Sequence, residues 1–438
     1  MKPKFSSLLP FIVFLAIFAL LNIVYSADGI IRDNFAICAA FIALISSFFT
    51  FRKKESWNKK VEIFVHGSSN SIVIHMCYIF LLSTVFTTIL QATGGIDSAV
   101  SICLSIIPTW CILPGMFIVS SLFSFTVGTS MGAIAAFMPI AVNIATHLTL
   151  DPALMAATIV CGAMFGDNLS ILSDTTIAAV KVTNTTMTKK LLLNSKIALP
   201  AFVASLFILA YKNYVMVPAI DIHYRAAVSL IDIIKTLPYV ATFYLALTGI
   251  DIMIVLVLGI IFALGLGVIL QNITILAAIN LLFDGFYNSK GMVNVFILVL
   301  LLSGLSSIIT YNGGVDYIIN KLRHKISSPG YAKLAMLLLV VFINITIAIN
   351  TIAIIIAGPI AAEIGEDYAI DNAETACILD IGSCTIQGLL PYTPQLLLAA
   401  SMAHVSTISL LPYLYYQFFL VISLLLTIIW RKNKPIRK

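Results

Sequence analysis

The sequence predicts an all-α membrane protein that is built from two related halves. Three observations support this fold class: the composition, the long apolar segments and an internal repeat. Of the 438 residues, 60% are hydrophobic and 10% are charged, which leaves too little polar surface for a water-soluble protein. The strands of a membrane β-barrel alternate apolar and polar residues over about 10 positions, whereas the apolar segments here are continuous. We therefore expect helices that cross the bilayer.

The apolar segments follow one another along the whole chain. A helix needs about 20 apolar residues to cross a hydrocarbon layer of about 30 Å. Eight segments reach or approach that length, at residues 8–25, 35–51, 72–90, 191–211, 253–270, 293–309, 332–349 and 411–430. The first has the basic start of a signal peptide, but it is longer than the usual apolar core of about 7 to 15 residues. It also has a counterpart at residues 226–247, so we expect it to be a membrane span.

The internal repeat relates residues 128–179 to a segment that begins 220 positions later. The first copy starts with Gly-Thr-Ser-Met-Gly at Gly128, and the second copy starts with Ala-Ile-Asn at Ala348. Three positions of the first copy recur at this offset: Pro139, Asp151 and Gly162 correspond to Pro359, Asp371 and Gly382. Two related halves in an apolar chain are typical of secondary transporters.

The basic residues indicate that the two halves have opposite orientations in the membrane. Residues 52–60 contain five Lys or Arg residues, whereas the matching residues 272–280 contain none. No basic residue follows Asp97 before Thr126, whereas four lie between positions 321 and 333 after the matching Asp316. Because Lys and Arg are enriched in cytoplasmic loops, equivalent loops with opposite charge predict inverted repeats.

Inverted repeats divide the chain into three parts. We expect a first transmembrane repeat at residues 1–211, an external linker at 212–225 that leads into an amphipathic helix, and a second transmembrane repeat at 226–438. Both termini are basic and are expected in the cytoplasm, which places the protein in the cytoplasmic (inner) membrane of a bacterium. Inverted repeats favour alternating access, because a shared site opens to either side when one half rocks against the other.

A polar segment at residues 165–176 interrupts the apolar pattern of the first copy. It contains two carboxylates, Asp167 and Asp174, and four hydroxyl side chains, at Ser170, Ser173, Thr175 and Thr176. A charged side chain at membrane depth costs roughly 2.5 to 3.5 kcal/mol, so it is usually paired or faces water. Carboxylate, hydroxyl and carbonyl oxygens are suitable ligands for a small hard cation. The segment therefore predicts a broken helix that binds a cation and couples it to protons.

The second copy has its own polar segment at residues 374–395. Asp380 is its candidate for cation binding or proton coupling, and in the repeat alignment Ser130 corresponds to Asn350 and Asp174 to Gln395. Further contributors from this copy are expected at Asn350, Thr385, Thr393 and Gln395. Glycines are expected to break helices or act as hinges at Gly128, Gly132, Gly162, Gly166, Gly382 and Gly388. If cation and proton use the same carboxylate, binding of one requires release of the other.

These segments resemble the motifs of a known family. The sequence Gly-Asp-Asn-Leu-Ser-Ile-Leu-Ser-Asp-Thr-Thr from Gly166 is similar to Gly-Asp-Lys-x-Ser-Pro-Leu-Ser-Asp-Thr-Thr of the NhaC-type sodium/proton antiporters in the ion transporter superfamily. The resemblance implies that family's fold, with discontinuous helices and re-entrant segments, and sodium/proton exchange. The residues that match family motif positions are Asp167, Ser173, Asp174, Thr175 and Asp380.

The chain departs from this motif at two positions, where Asn168 replaces Lys and Ile171 replaces Pro. In the second copy, Leu-Pro-Tyr-Thr from Leu390 resembles the family's Ile-Pro-Trp-Asn, and Thr393 replaces Asn. The loss of the motif Lys removes a fixed positive charge beside the predicted site. Related families transport organic acids and amino acids, so a sodium- or proton-coupled carrier for a small organic anion or amino acid is the alternative on the same scaffold. The absence of Arg from the core segments favours inorganic cations over a substrate carboxylate.

Other classes fit the sequence less well. An intramembrane aspartyl protease would need a Tyr-Asp motif on a separate helix, and a channel would usually need oligomeric symmetry. We expect no enzyme activity, no cofactor and no resident metal, with sodium or lithium and protons as transported ions and the lipid bilayer as the surrounding partner. Nucleic acid is not an expected partner, because basic residues in a membrane protein report its orientation. A homodimer is left open.

Overall fold

The computed structural model describes residues 5–26, 35–50, 55–216, 228–248, 250–287, 290–323 and 326–431. These residues form helices and connecting turns, without a β-strand in the described ranges. The prediction of an all-α polytopic membrane protein is confirmed. The basic residues Lys2 and Lys4, those that follow Arg431, and residues 217–225 of the expected linker lie outside the described ranges.

Ten α-helices are found among the described residues of the first half. They are α1 Leu9–Ser26, α2 Phe35–Phe49, α3 Trp57–Ser68, α4 Ser71–Ala92, α5 Gly95–Ile106, α6 Ile112–Val127, α7 Ser130–His147, α8 Pro152–Leu169, α9 Asp174–Thr183 and α10 Met187–Met216. Helix α10 continues five residues beyond position 211. Residues 212–216, which were expected in the linker, are therefore helical.

In the second half, the part of the chain that the structure describes forms eleven α-helices. They are α11 Leu230–Leu247, α12 Ile252–Ile269, α13 Ile275–Tyr287, α14 Lys290–Tyr311, α15 Gly314–Arg323, α16 Pro329–Ile347, α17 Asn350–Asp367, α18 Asn372–Gln387, α19 Pro394–Ala403, α20 Thr407–Leu410 and α21 Tyr415–Arg431. Their order matches α1 to α10 if the short α20 is an addition, with α21 corresponding to α10.

Each of the eight predicted apolar segments contains a helix. Nine helical segments of the described chain are long and apolar enough to cross a membrane. Helix α19 and the helical turns at Thr407–Tyr413 meet at 100° and together could make a tenth span. One of the nine segments joins α8 and α9 across the break at residues 170–173.

A short helix of each half packs against the other half. Helix α9 of the first half packs against α17 and α18 of the second, and α19 packs against α7 and α8. A matched pair of hydrogen bonds supports the structural repeat: the Ser124 hydroxyl donates to the carbonyl oxygen of Ala163 at 2.6 Å, and the Asn344 amide donates to the carbonyl oxygen of Ser383 at 2.8 Å. The opposite orientation of the halves in the membrane stays a prediction.

The helix breaks also occur at matching positions. Gly128 ends α6 with φ 79°, and Ala348 ends α16 with φ 59°, both in the left-handed region that glycine adopts most easily. After the next helix, Asp151 and Asp371 accept hydrogen bonds from Ala153 and Ala373 and thereby cap the starts of α8 and α18. Gly388 ends α18. These caps start α8 and α18 at matching positions of the two halves.

Four of the predicted break glycines lie inside helices: Gly132, Gly162, Gly166 and Gly382. The prediction of a helix break there is wrong. At Gly166 an added Cβ would lie 2.2 Å from the carbonyl oxygen of Ser121, and at Gly382 it would lie 2.6 Å from a side-chain carbon of Leu337. At Gly166 glycine is needed because the backbone of α6 approaches closely, whereas at Gly382 the nearest atom ends a flexible side chain that can move.

Candidate functional site

Asp167 lies on the last turn of α8, directly before the break in that span. Its side chain is buried, with 6% of the residue exposed. The carboxylate faces the hydroxyl groups of Ser130 and Ser173 and the backbone amide of Ser130. Ser130 starts α7 and Ser173 precedes α9, so two helix starts point backbone and hydroxyl groups at one buried carboxylate.

A series of polar contacts leads from Asp167 to Asp380 of the second half. The Ser173 hydroxyl lies 2.9 Å from the Thr175 hydroxyl. The Cys384 thiol lies 3.9 Å from that Thr175 oxygen and 3.8 Å from Oδ1 of Asp380. The structure therefore brings four of the predicted site residues together at the contact between α8, α9 and α18.

Asp380 forms a buried ion pair with Lys190 of α10. The Lys190 ammonium group also donates to the Thr176 hydroxyl, and the Asn194 amide donates to Oδ2 of Asp380 at 2.7 Å. Neither Lys190 nor Asp380 has exposed surface. A lysine that follows a transmembrane segment is expected in a cytoplasmic loop, but Lys190 lies within α10 and is buried.

The second half contributes amide side chains to the same region. Gln387 donates to the carbonyl oxygen of Ala348 and to Oε1 of Gln395, each at 2.9 Å. Gln395 in turn lies 3.5 Å from the Ser130 hydroxyl, and Asn350 lies 3.5 Å from the Cys384 thiol. Asn350 and Gln395 thus join the buried network. Gln387 was missed, although the offset of 220 places it opposite Asp167.

Three buried amide oxygens close to these carboxylates have no hydrogen-bond partner within the described part of the chain: those of Asn168, Asn194 and Gln387. An unsatisfied buried polar atom costs roughly 1 to 3 kcal/mol, so such atoms need a specific reason. Carboxylate, hydroxyl and amide oxygens together suit a small hard cation. These oxygen atoms are therefore suitable ligands for transient binding of a cation near Asp167.

Asp174 lies apart from this buried network. It is the first residue of α9, and its side chain is exposed. It lies within electrostatic range of His75 and Asp251, whose side chains approach to 3.1 Å. The structure thus separates the two carboxylates of the first polar segment, one at the buried centre and one at the surface of the helix bundle.

Three other predicted residues bond to their own local backbone. The Ser170 hydroxyl accepts from the amide of Leu172 at 3.2 Å. The hydroxyls of Thr385 and Thr393 donate to carbonyl oxygens three or four residues earlier, at 2.6 and 2.8 Å. These bonds shape the breaks and the last turn of α18, and they connect none of the three to Asp167 or Asp380.

Two cavities flank the helix breaks at matching places. One, of about 490 Å³, reaches Ile347 and Ile352 at the break between α16 and α17. Its other walls are rich in polar side chains, including Lys59, Glu62, His66, Asn70, Ser307 and Thr310. The other cavity, of about 470 Å³, contacts Gly132 and Ala136 of α7 and is lined almost entirely by apolar side chains. The first cavity can hold water beside the break between α16 and α17, whereas the second is unfavourable for water.

Comparisons with known proteins agree with this architecture. The model of the Na+/H+ antiporter family matches residues 4–190 and 288–431. The Na(+)/H(+) antiporter NhaC of Alkalihalophilus pseudofirmus is 24% identical over 412 residues, covering 88% of this chain and 87% of the relative. The malate-2H(+)/Na(+)-lactate antiporter of Bacillus subtilis is 22% identical, covering 81% and 80%. The arginine/ornithine antiporter ArcD of Halobacterium salinarum is 24% identical, covering 82% and 79%.

Proposed function

Because the chain belongs to the Na+/H+ antiporter family, we propose that it exchanges sodium ions for protons across the cytoplasmic membrane of a bacterium by alternating access. The observation that carries this proposal is the buried Asp167, which faces two hydroxyl groups at the contact between the two halves. Within the described part of the chain Asp167 has no Lys or Arg ion-pair partner, and a buried carboxylate in this situation is costly unless a proton or another cation neutralises it.

Exchange follows from the use of one carboxylate for both ions. A sodium ion that binds Asp167 takes oxygen ligands from Ser130 and Ser173, and nearby amide oxygens without hydrogen-bond partners complete the set. A proton on the same carboxylate removes its negative charge and so removes the main attraction for sodium. Only the sodium-bound and the proton-bound forms are neutral at Asp167, and these are the forms that we expect to change orientation.

The packing of the halves suits this exchange. Helices α9 and α19 each contact the opposite half, so rocking of one half against the other changes the surroundings of the break beside Asp167. The polar cavity next to α3 is the water-filled approach that we assign to the cytoplasmic side, because α3 carries Lys59 and Lys60. Both termini are assigned to the same side.

A second candidate function is the exchange of small organic ions. Two of the relatives carry names of antiporters for organic acids or amino acids. The buried Lys190 favours this candidate, because a substrate carboxylate needs a positive partner at the site. Its existing pair with Asp380 makes the inorganic cation our first choice.

The experiment that tests the proposal uses the purified full chain in liposomes. An inward sodium gradient is applied, and the internal pH is followed with a trapped dye. Sodium/proton exchange predicts alkalinisation of the lumen that stops when the sodium gradient is dissipated. If sodium, lithium and potassium have no effect while labelled malate, lactate, arginine or ornithine is exchanged, the second candidate replaces the first.

A further inference from the structure

The ion pair between Lys190 and Asp380 joins the two halves at their centre. Lys190 belongs to α10 of the first half, and Asp380 belongs to α18 of the second. Both side chains are fully buried. A buried ion pair is weak support for stability, because the cost of removing two charges from water offsets much of their attraction. Its position beside the proposed cation site suggests a different role.

The contacts of Asp380 are divided between its two oxygens. Lys190 and Asn194 occupy Oδ2, whereas Oδ1 faces Cys384, which leads through Thr175 toward Asp167. The two carboxylates are close enough to influence each other electrostatically. A second free negative charge at this distance would therefore strengthen the attraction of the site for cations.

We propose that Lys190 is a tethered counter-cation that neutralises Asp380 and so limits the site to one transported positive charge. This inference rests on the proposed cation exchange. Asp167 and Asp380 contribute two negative charges and Lys190 one positive charge, which leaves one negative charge for the transported ion. The Lys that the family motif carries at position 168 is Asn in this chain. Asn194 connects the two places, since it donates to both the Asn168 carbonyl oxygen and Asp380.

The positive charge of Lys190 determines how strongly the site attracts cations. With the charge removed, Asp380 is left free to attract sodium together with Asp167. We expect Lys190→Met at alkaline pH to lower the KM for sodium by roughly tenfold and to slow turnover, because the cation is released more slowly. Lys190→Arg keeps the charge and should keep the native KM.

The matched control is Lys333→Met. Lys333 of α16 pairs with Glu374 of α18 at 2.8 Å and is also largely buried, but both residues belong to the second half, and the described contacts that link Asp167 to Asp380 run through Ser173, Thr175 and Cys384 instead. Loss of this pair should leave the KM for sodium unchanged. The comparison separates the loss of any buried ion pair from the loss of the pair beside the site.

The double variant Lys190→Met with Asp380→Asn removes both charges and restores the native net charge, so its KM should rise above that of Lys190→Met, toward the native value. Sodium binding to the detergent-purified variants by calorimetry gives the same comparison if transport is too slow to measure. An unchanged or raised KM, or an unchanged dissociation constant, in Lys190→Met would overturn the inference. If the native chain itself neither transports nor binds sodium, the proposed function fails first, and the two failures are thus distinguished.

Discussion

Asp167 and Gln387 occupy equivalent positions in the two halves, 220 residues apart, near the C-terminal ends of α8 and α18. They are linked through Gln395 and Ser130, because Gln387 donates to Gln395, which approaches the Ser130 hydroxyl that faces Asp167. One half therefore supplies a carboxylate where the other supplies an amide. This asymmetry leaves one carboxylate at this pair of equivalent positions instead of two.

The side-chain amide of Gln387 is expected to stabilise the break between α16 and α17. Gln387→Leu removes the donor to the carbonyl oxygen of Ala348, and a buried acceptor without a partner costs about 1 to 3 kcal/mol. We expect a lower midpoint of thermal unfolding in detergent. The control Gln91→Leu changes an exposed residue of α4 and should leave the midpoint unchanged; an equal midpoint for both variants would contradict the structural role of Gln387.

Close packing of α6 against α8 is expected to require glycine at position 162. In Gly162→Ala the new Cβ would lie 2.0 Å from the Ser120 hydroxyl oxygen and 2.5 Å from the carbonyl oxygen of Phe117. Forcing these helices apart should cost about 1 to 3 kcal/mol and lower the unfolding midpoint. Gly265→Ala is the matched control, because no atom lies within 4 Å of its added Cβ. A Gly162→Ala variant as stable as Gly265→Ala would show that the contact is looser than described.

The repeat and the main features of the buried site could be predicted from the sequence. The polar segment at residues 165–176 stands out because carboxylates are costly in a helix surrounded by apolar residues. The exposure of Asp174 could not be predicted, because the turn at residues 170–173 decides which way the chain continues after Asp167. Glycines predicted as breaks could equally permit close packing, and only the neighbouring helices distinguish these roles.

Asp174 is expected to attract cations toward the site without binding them at its centre. Its side chain is exposed at the start of α9, within electrostatic range of His75 and Asp251. Asp174→Asn should raise the KM for sodium roughly two- to fivefold at low ionic strength, and added choline chloride should screen out this difference. The maximal rate should stay near native, as in the exposed-residue control Asp367→Asn. A complete loss of transport in folded Asp174→Asn would instead place this carboxylate in the coupled site.

The polar and apolar cavities are expected to differ in water access. Thr310→Cys lines the polar cavity and Ala136→Cys the apolar one, each in a background without the incompletely buried Cys38, Cys103 and Cys111. A charged, membrane-impermeant thiol reagent should modify the first variant in everted vesicles, which expose the cytoplasmic side, and should leave the second unmodified. Rapid modification of Ala136→Cys, or of Thr310→Cys only in right-side-out vesicles, would contradict the assigned approach.

The pairing of Lys190 with Asp380 could not be predicted from the sequence. A lysine that follows a transmembrane segment usually lies at the cytoplasmic surface, and Lys189 and Lys190 both fit that pattern. Only the path of α10 along α18 brings Lys190 to Asp380. The pairing depends on contacts between distant parts of the chain, and hydropathy or residue spacing carries no information about such contacts.

The most direct test of the account measures Asp167 itself. Everted membrane vesicles from an antiporter-deficient strain are energised to form a proton gradient, and sodium is then added. The collapse of the gradient is followed for the native chain, Asp167→Asn and the control Asp367→Asn at equal protein levels. The account predicts collapse with the native chain and the control and at least a hundredfold slower response with Asp167→Asn, because the amide cannot hold either ion as a charged partner. Sodium-driven collapse at the native rate in Asp167→Asn would contradict it.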